Sequence, residues 1–230
     1  MFGSRLNVRC FEESVKQYEA RPVETGKILF YGHSLFTRCS YIFTERYPQK
    51  KLPLLEEEVR MKDGSRAIVN HGFGTSSADD LLYYYDRLVR PYKPRALVLV
   101  TLSNDIGFGY SAAEVMNIEA TLIDWFQADF PGAPVYCLNR TPTLKRKGTV
   151  DYYTRISTEY NRLLEGYCAE KEGVTYVPLQ NAPCYFEKLE DIGDYDKVWD
   201  AVFDTDQVHL NAMGYARFMD YIRDLLDELL

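Results

Sequence analysis

Five short runs of apolar residues recur along the chain: ILFY at 28–31, AIV at 67–69, ALVLVTL at 96–102, PVYCL at 134–138 and VTYVPL at 174–179. Each is too short for a buried helix and lacks strict alternation of apolar and polar positions. That is the pattern of parallel strands covered on both faces. The segments between them carry apolar residues at helical period. SSADDLLYYYDRLVR, from Ser76, offers Ser76 and Ser77 as N-caps and places Asp79 and Asp80 in the first turn. SAAEVMNIEATLIDWFQADF opens on Ser111 with Glu114 three residues on, the spacing of a capping box. DYYTRISTEYNRLLEGYCAEK and the closing NAMGYARFMDYIRDLLDELL continue the series. Strands alternating with helices, joined by right-handed crossovers, predict a three-layer α/β/α sandwich around a parallel sheet.

Two segments stand outside this rhythm. Residues 35–66 exceed a plain crossover, and KDGS at 62–65 is a turn signal, so a short extra helix or hairpin is expected there. Residues 180–208, with Pro183 and Gly193 and few periodic apolar positions, read as a long loop of the kind that often carries function.

The chain has 230 residues, 46% of them hydrophobic, with no linker and no internal repeat, so one domain is expected over 1–230, with 1–26 as an N-terminal helical extension. A net charge of −7 argues against a nucleic-acid surface. The basic run Lys145–Lys147, beside Gly148, reads as a solvated loop. The N-terminus lacks the apolar core of a signal peptide, and no run approaches the length of a membrane span. Five cysteines, at 10, 39, 137, 168 and 184, are scattered and form no CxxC pair; neither a disulfide frame nor a metal site is expected, and a cytoplasmic location is. The 19 tyrosines suit packing at helix–sheet boundaries better than a dedicated pocket.

Enzymes on such sheets gather their working groups at the carboxyl ends of the strands. After the first strand come Gly32, His33 and Ser34; after the second, NHGFGTSS at 70–77; after the third, SNDIGFG at 103–109. In a sheet ordered 2-1-3-4-5 these loops lie side by side with Ser34 in the middle. A serine hydroxyl beside a glycine-rich turn and the Asn104 amide is a nucleophile beside oxyanion-stabilising donors. Gly32 is expected to permit the sharp exit from the strand. Only three histidines are available as its base. His33 adjoins Ser34, where neighbouring side chains diverge, and His71 ends a strand, where a packed role is expected. His209 follows Asp206 by three residues in DTDQVHLNAMGY, an offset that lets the carboxylate reach Nδ1 and leave Nε2 for the serine proton. Asp204 is a rival orienter with a less suitable spacing.

From about Lys27 to Tyr215 the chain resembles the SGNH hydrolases, also called GDSL-like lipases and acylhydrolases. FYGHS resembles the first family block, VNHGFGTSSADDLL the second, LSNDI the third and DQVHLNAMGY the last, in the family's order. The resemblance implies a serine esterase on a flavodoxin-like five-stranded sheet, without cofactor or metal. It implies Ser34, Asp206 and His209 as the triad. It also implies an oxyanion hole from the Ser34 and second-block backbone N–H groups and the Asn104 side chain. Three positions depart from the family pattern. His33 stands for the usual aspartate, Thr75 for the donor glycine and Leu102 for a common glycine. A threonine can donate its N–H at negative φ but is strained at positive φ, where Gly74 becomes the alternative donor.

For substrate contacts the candidates are His33, Phe73, Phe108 and Tyr110, with Tyr185, Phe186, Tyr195 and Trp199 in the long loop. No segment reads as a large apolar lid, which favours small soluble esters such as acetylated carbohydrates. Lysophospholipids, thioesters and a catalytically silent binding module on the same fold are the alternatives. Nucleotide or phosphoryl chemistry is disfavoured, because the first-strand loop offers neither a phosphate cradle nor an acidic cluster.

Overall fold

Why the apolar runs form a covered sheet is visible in their alternation between faces. The computed structural model describes residues 8–148 and 150–230. Five parallel strands, β1 (Ile28–Gly32), β2 (Ile68–Gly72), β3 (Ala96–Val100), β4 (Val135–Leu138) and β5 (Val174–Val177), assemble in the order β2-β1-β3-β4-β5. In β1 and β3, Leu29, Tyr31, Leu97 and Leu99 face one core, while Ile28, Phe30, Val98 and Val100 face the other. Side chains of successive strand residues point to opposite faces, so two buried faces demand an unbroken apolar run.

The first core is covered by α1 (Val8–Glu19), α5 (Ala78–Leu88), α7 (Ala112–Asp129) and α8 (Tyr152–Glu170). The second is covered by α2 (Ser34–Thr37), α4 (Leu55–Glu58) and α9 (Ala212–Leu225), with the 180–203 segment. This is the three-layer α/β/α sheet with order 2-1-3-4-5 that the sequence predicts.

The helix starts follow local chemistry. Ser111 and Glu114 close the expected capping box at the start of α7. At α5 the cap is Ser77, boxed with Asp80, while Ser76 instead donates its hydroxyl to the Phe73 carbonyl. Residues 35–66 hold α2, α3 (Tyr41–Arg46) and α4, then a minimal antiparallel bridge between Arg60 and Arg66 around the KDGS turn. The 180–208 segment is a chain of single helical turns rather than open loop. Within the N-terminal segment α1 is helical, and the Tyr18 hydroxyl donates to the Gly72 carbonyl; residues 1–7 of the expected extension lie outside the described residues.

One expectation needs correction. Gly32 has no positive φ; a Cβ there would lie 2.5 Å from both Val100 Cγ1 and Val100 O. Glycine is required by the close approach of β3, not by a change of direction. Gly72 is similar, because a Cβ there would strike the Thr37 N–H and Phe36 of α2. The Gly72 contact seats α2, and with it Ser34, tightly against the end of β2. Among the described residues no helix is long and apolar enough to cross a membrane.

Candidate active site

Ser34 is the first residue of α2, directly after β1, with His33 as its N-cap. The His33 Nδ1 accepts the Leu35 N–H at 3.2 Å, which fixes the tautomer that carries its proton on Nε2. A buried neutral imidazole thus does the capping work of a carboxylate. Burial drives its pKa down to about 3, with the His209 and Arg140 charges acting in the same direction. Its Nε2 N–H faces the Thr101 carbonyl without closing a hydrogen bond of ordinary geometry. His33 is therefore a buried cap in the floor of the narrow pocket that Ser34 and His209 also line.

The loop before α9 brings up the other two groups. His209 Nε2 lies 3.0 Å from Ser34 Oγ, and Nδ1 lies 2.8 Å from Asp206 Oδ2. Asp206 Oδ1 accepts the backbone N–H groups of Val208 and His209, both at 2.9 Å, in a turn that needs Gln207 at positive φ. Burial opposes ionisation of Asp206. The two N–H donors and the His209 ring outweigh it and hold the carboxyl well below its usual range. Burial lowers the His209 pKa against the pull of Asp206, and the Arg38 charge lowers it further. The rival Asp204 makes no hydrogen bond to the imidazole among the described residues. It accepts Lys50 Nζ at 2.6 Å and Arg38 Nη1 at 3.0 Å, which lower its pKa to about 2.

Arg38, one turn beyond Ser34, was not singled out in the sequence. Its guanidinium spans the acidic pair, with Nη2 donating to Asp206 Oδ2 at 2.9 Å. The residue is four positions after the serine, at the C-cap of the same short helix, and that offset is the available signal.

The second and third loops face Ser34 from the opposite side. A Cβ on Gly74 would lie 3.9 Å from Ser34 Cβ, so this turn runs alongside the serine. Among the described residues the backbone N–H groups of Ser34, Gly74 and Thr75 donate to no protein acceptor. Thr75 has φ +66° and Leu102 φ +40°, so both positions where the family favours glycine retain the left-handed backbone with a side chain in place. At the start of α6 (Asn104–Gly107), Asn104 Nδ2 donates to the Ser76 carbonyl at 3.0 Å, and Asp105 accepts the Ala78 N–H at 2.7 Å. Two adjacent side chains thereby clamp the third loop onto the second. Burial raises the Asp105 pKa to about 6.

Of the expected substrate contacts, Phe108 is 49% exposed and lines a cleft of about 420 Å³ with Thr75 and Asn104. Phe73 and Tyr110, 1% and 4% exposed, belong to the core instead, Phe73 packing against Phe11 and Tyr31. In the long loop Tyr185 and Phe186 are core, whereas Tyr195 lines a cavity of about 390 Å³. His71 is packed between Tyr18 and Tyr92, with Nδ1 2.7 Å from the Leu88 carbonyl.

Arg140, Lys145 and Arg146, in the loop after β4, line the cleft beside Asn104, so the basic run is not merely a solvated loop. The carboxyl-end rule that located the first three loops applies equally to this one.

A family model described as the GDSL-like Lipase/Acylhydrolase family matches residues 30–217. Among solved structures, a GDSL-like lipase from Bacteroides thetaiotaomicron is 14% identical with a TM-score of 0.68, covering 97% of this chain and 100% of that one. A catalytic mutant of an acetylxylan esterase from Geobacillus stearothermophilus is 17% identical with a TM-score of 0.62, covering 90% of this chain and 95% of that one. No match was found among curated proteins.

Proposed function

The chain belongs to the GDSL-like lipase/acylhydrolase family and is a serine ester hydrolase, and on that premise we propose that Ser34, His209 and Asp206 carry the reaction. The observation that supports this reading most directly is the continuous relay from Ser34 Oγ through both ring nitrogens of His209 to Asp206. His209 Nε2 takes the hydroxyl proton as Ser34 Oγ bonds to the ester carbonyl carbon. Asp206 holds the Nδ1–H tautomer and stabilises the imidazolium that forms. The tetrahedral oxyanion accepts the N–H of Ser34, the N–H of Gly74 or Thr75, and the free hydrogen of the Asn104 amide. His209 then protonates the leaving alcohol oxygen. Water, deprotonated by the same imidazole, releases the acid from the acyl-enzyme.

Short, polar esters such as acetylated carbohydrates fit the surroundings best. The 390 Å³ cavity mixes the hydroxyl and amide side chains of Thr154, Ser157, Asn161 and Gln180 with Asp194 and Asp196 and with the apolar Pro142 and Val150. The acetylxylan esterase among the structural relatives agrees with that choice. The cleft beside Asn104, lined by Ser103, Thr143, Lys145 and Arg146, is not the long apolar channel that a lysophospholipase or long-chain thioesterase would need. The intact relay counts against a silent binding module.

A fluorophosphonate probe should label the wild-type protein on Ser34, and Ser34→Ala should abolish both labelling and hydrolysis of p-nitrophenyl acetate. Hydrolysis by the alanine variant at the wild-type rate would remove the proposal.

A further inference from the structure

The mechanism leaves the loop after β4 without a task, and that loop carries an unusual charge. Arg140 stands two residues beyond Leu138 and borders three spaces: the narrow pocket at Ser34 and His209, the cleft beside Asn104, and the 390 Å³ cavity. Among the described residues its one hydrogen bond runs from Nη1 to Ser157 Oγ at 2.6 Å, and no carboxylate lies within ion-pair distance. A guanidinium offers five N–H donors, so most of this one's capacity is unspent. Desolvating such a cation without a counter-ion is unfavourable, and burial lowers its pKa from the ordinary arginine value.

The cleft wall repeats the pattern. Lys145 is exposed and makes no ion pair among the described residues. Arg146 is anchored to Asp151 and stacks 3.5 Å above the Tyr153 ring. No Asp or Glu lines this cleft, in a chain whose net charge is −7. The sign of the surface is therefore reversed in this cleft, in contrast to the adjoining cavity, where Asp194 and Asp196 join the lining, and a cationic cleft favours an anionic ligand. Backbone bonds hold the wall in place: Leu144 N donates to the Gln207 carbonyl at 2.9 Å, and Thr143 N donates to the Tyr195 hydroxyl at 2.9 Å.

We propose that the ester cleaved here carries an anionic group, a carboxylate or a phosphate, which Arg140 and Lys145 bind in the cleft beside Asn104. The proposal rests on the hydrolase reading above. The paired N–H groups of a guanidinium match the oxygen pairs of either anion, and the lysine adds a mobile point charge. Both residues select and orient substrate and take no part in bond making.

Matched ester pairs test this: acetylated galacturonic acid against acetylated galactose, and acetylglycerol phosphate against acetylglycerol. The expected result is a kcat/KM ratio of about tenfold or more for the anionic member of at least one pair, shrinking as salt is raised. Which pair responds identifies carboxylate or phosphate. Arg140→Gln and Lys145→Glu should each bring the ratio toward one. Lys145 is exposed, so its variant decides the matter if Arg140→Gln fails to fold. Where turnover is too slow to follow, slowing of fluorophosphonate labelling by each pair gives the same comparison. A ratio of one or less in both pairs, or a ratio that Lys145→Glu leaves intact, overturns the anion site. Absence of Ser34 labelling would instead remove the hydrolase reading beneath it.

Discussion

Arg38 Nη2 and His209 Nδ1 converge on a single oxygen of Asp206, at 2.9 and 2.8 Å. The carboxylate proposed to orient the base is therefore itself held by a cation at the C-cap of the short helix that bears the proposed nucleophile. That cation also disfavours the imidazolium form of His209, whose pKa is lowered by burial first and by Arg38 after it. Removing the cation should raise the pKa. The base works only when unprotonated, so the acid limb of kcat/KM should move to higher pH in Arg38→Gln. Activity at pH 6 should then fall more than activity at pH 8. A full pH–rate profile checks this, and a limb that stays put or moves to lower pH would exclude the role given to Arg38.

Asn104 bridges two loops, with one amide hydrogen on the Ser76 carbonyl and the other proposed to meet the oxyanion. Asn104→Ala should lower kcat by about 10²–10³. KM should change much less, because the oxyanion exists only in the transition state. Steady-state kinetics on p-nitrophenyl acetate separate the two parameters. An equal loss expressed wholly in KM would place Asn104 in ground-state binding instead.

Thr75 and Leu102 share a left-handed backbone but not an environment. Thr75 is exposed, so glycine there should relieve strain, by about 0.5–1 kcal/mol net of glycine's own entropic cost. Leu102 is fully buried, and Leu102→Gly should destabilise by about 2–4 kcal/mol because lost packing exceeds the relief. Urea denaturation of the two variants should give opposite signs. The same sign in both would refute the account of these positions.

Glu119 is buried behind the third loop and accepts hydrogen bonds from the Thr101 and Tyr160 hydroxyls. Burial raises its pKa from 4.5 to about 7. The folded state therefore holds a proton that the unfolded chain has released. Its contribution to stability is fully present below about pH 4.5 and is lost as pH rises through about 7. The loss is on the order of 3 kcal/mol. Glu119→Gln should flatten this part of the stability profile, measured by denaturant melts at pH 5 and pH 8. A slope unchanged by the substitution would assign it to another group.

The strands were legible because burial on both faces leaves an unbroken apolar run, and β1 to β5 fall on the five runs to within a few residues. The capping box at Ser111 was equally local, since its two partners lie within one turn. Aromatic residues were harder to assign. Phe73 and Phe108 flank similar glycine-rich turns, yet one is core and the other lines the cleft. Nothing within a few residues of either distinguishes them, because helix packing decides which ring meets water. The capping role of His33 is hidden for a related reason: it depends on how the backbone enters α2.

By itself the sequence determined the sheet, the order of its loops and the residue types that chemistry would require, all features set by short-range pattern and composition. Only the tertiary structure decided that Arg38 locks onto Asp206 and that Arg140 stands uncompensated beside Ser34. Those relationships join residues far apart in the chain, and they depend on distance and dielectric environment, which no local pattern encodes.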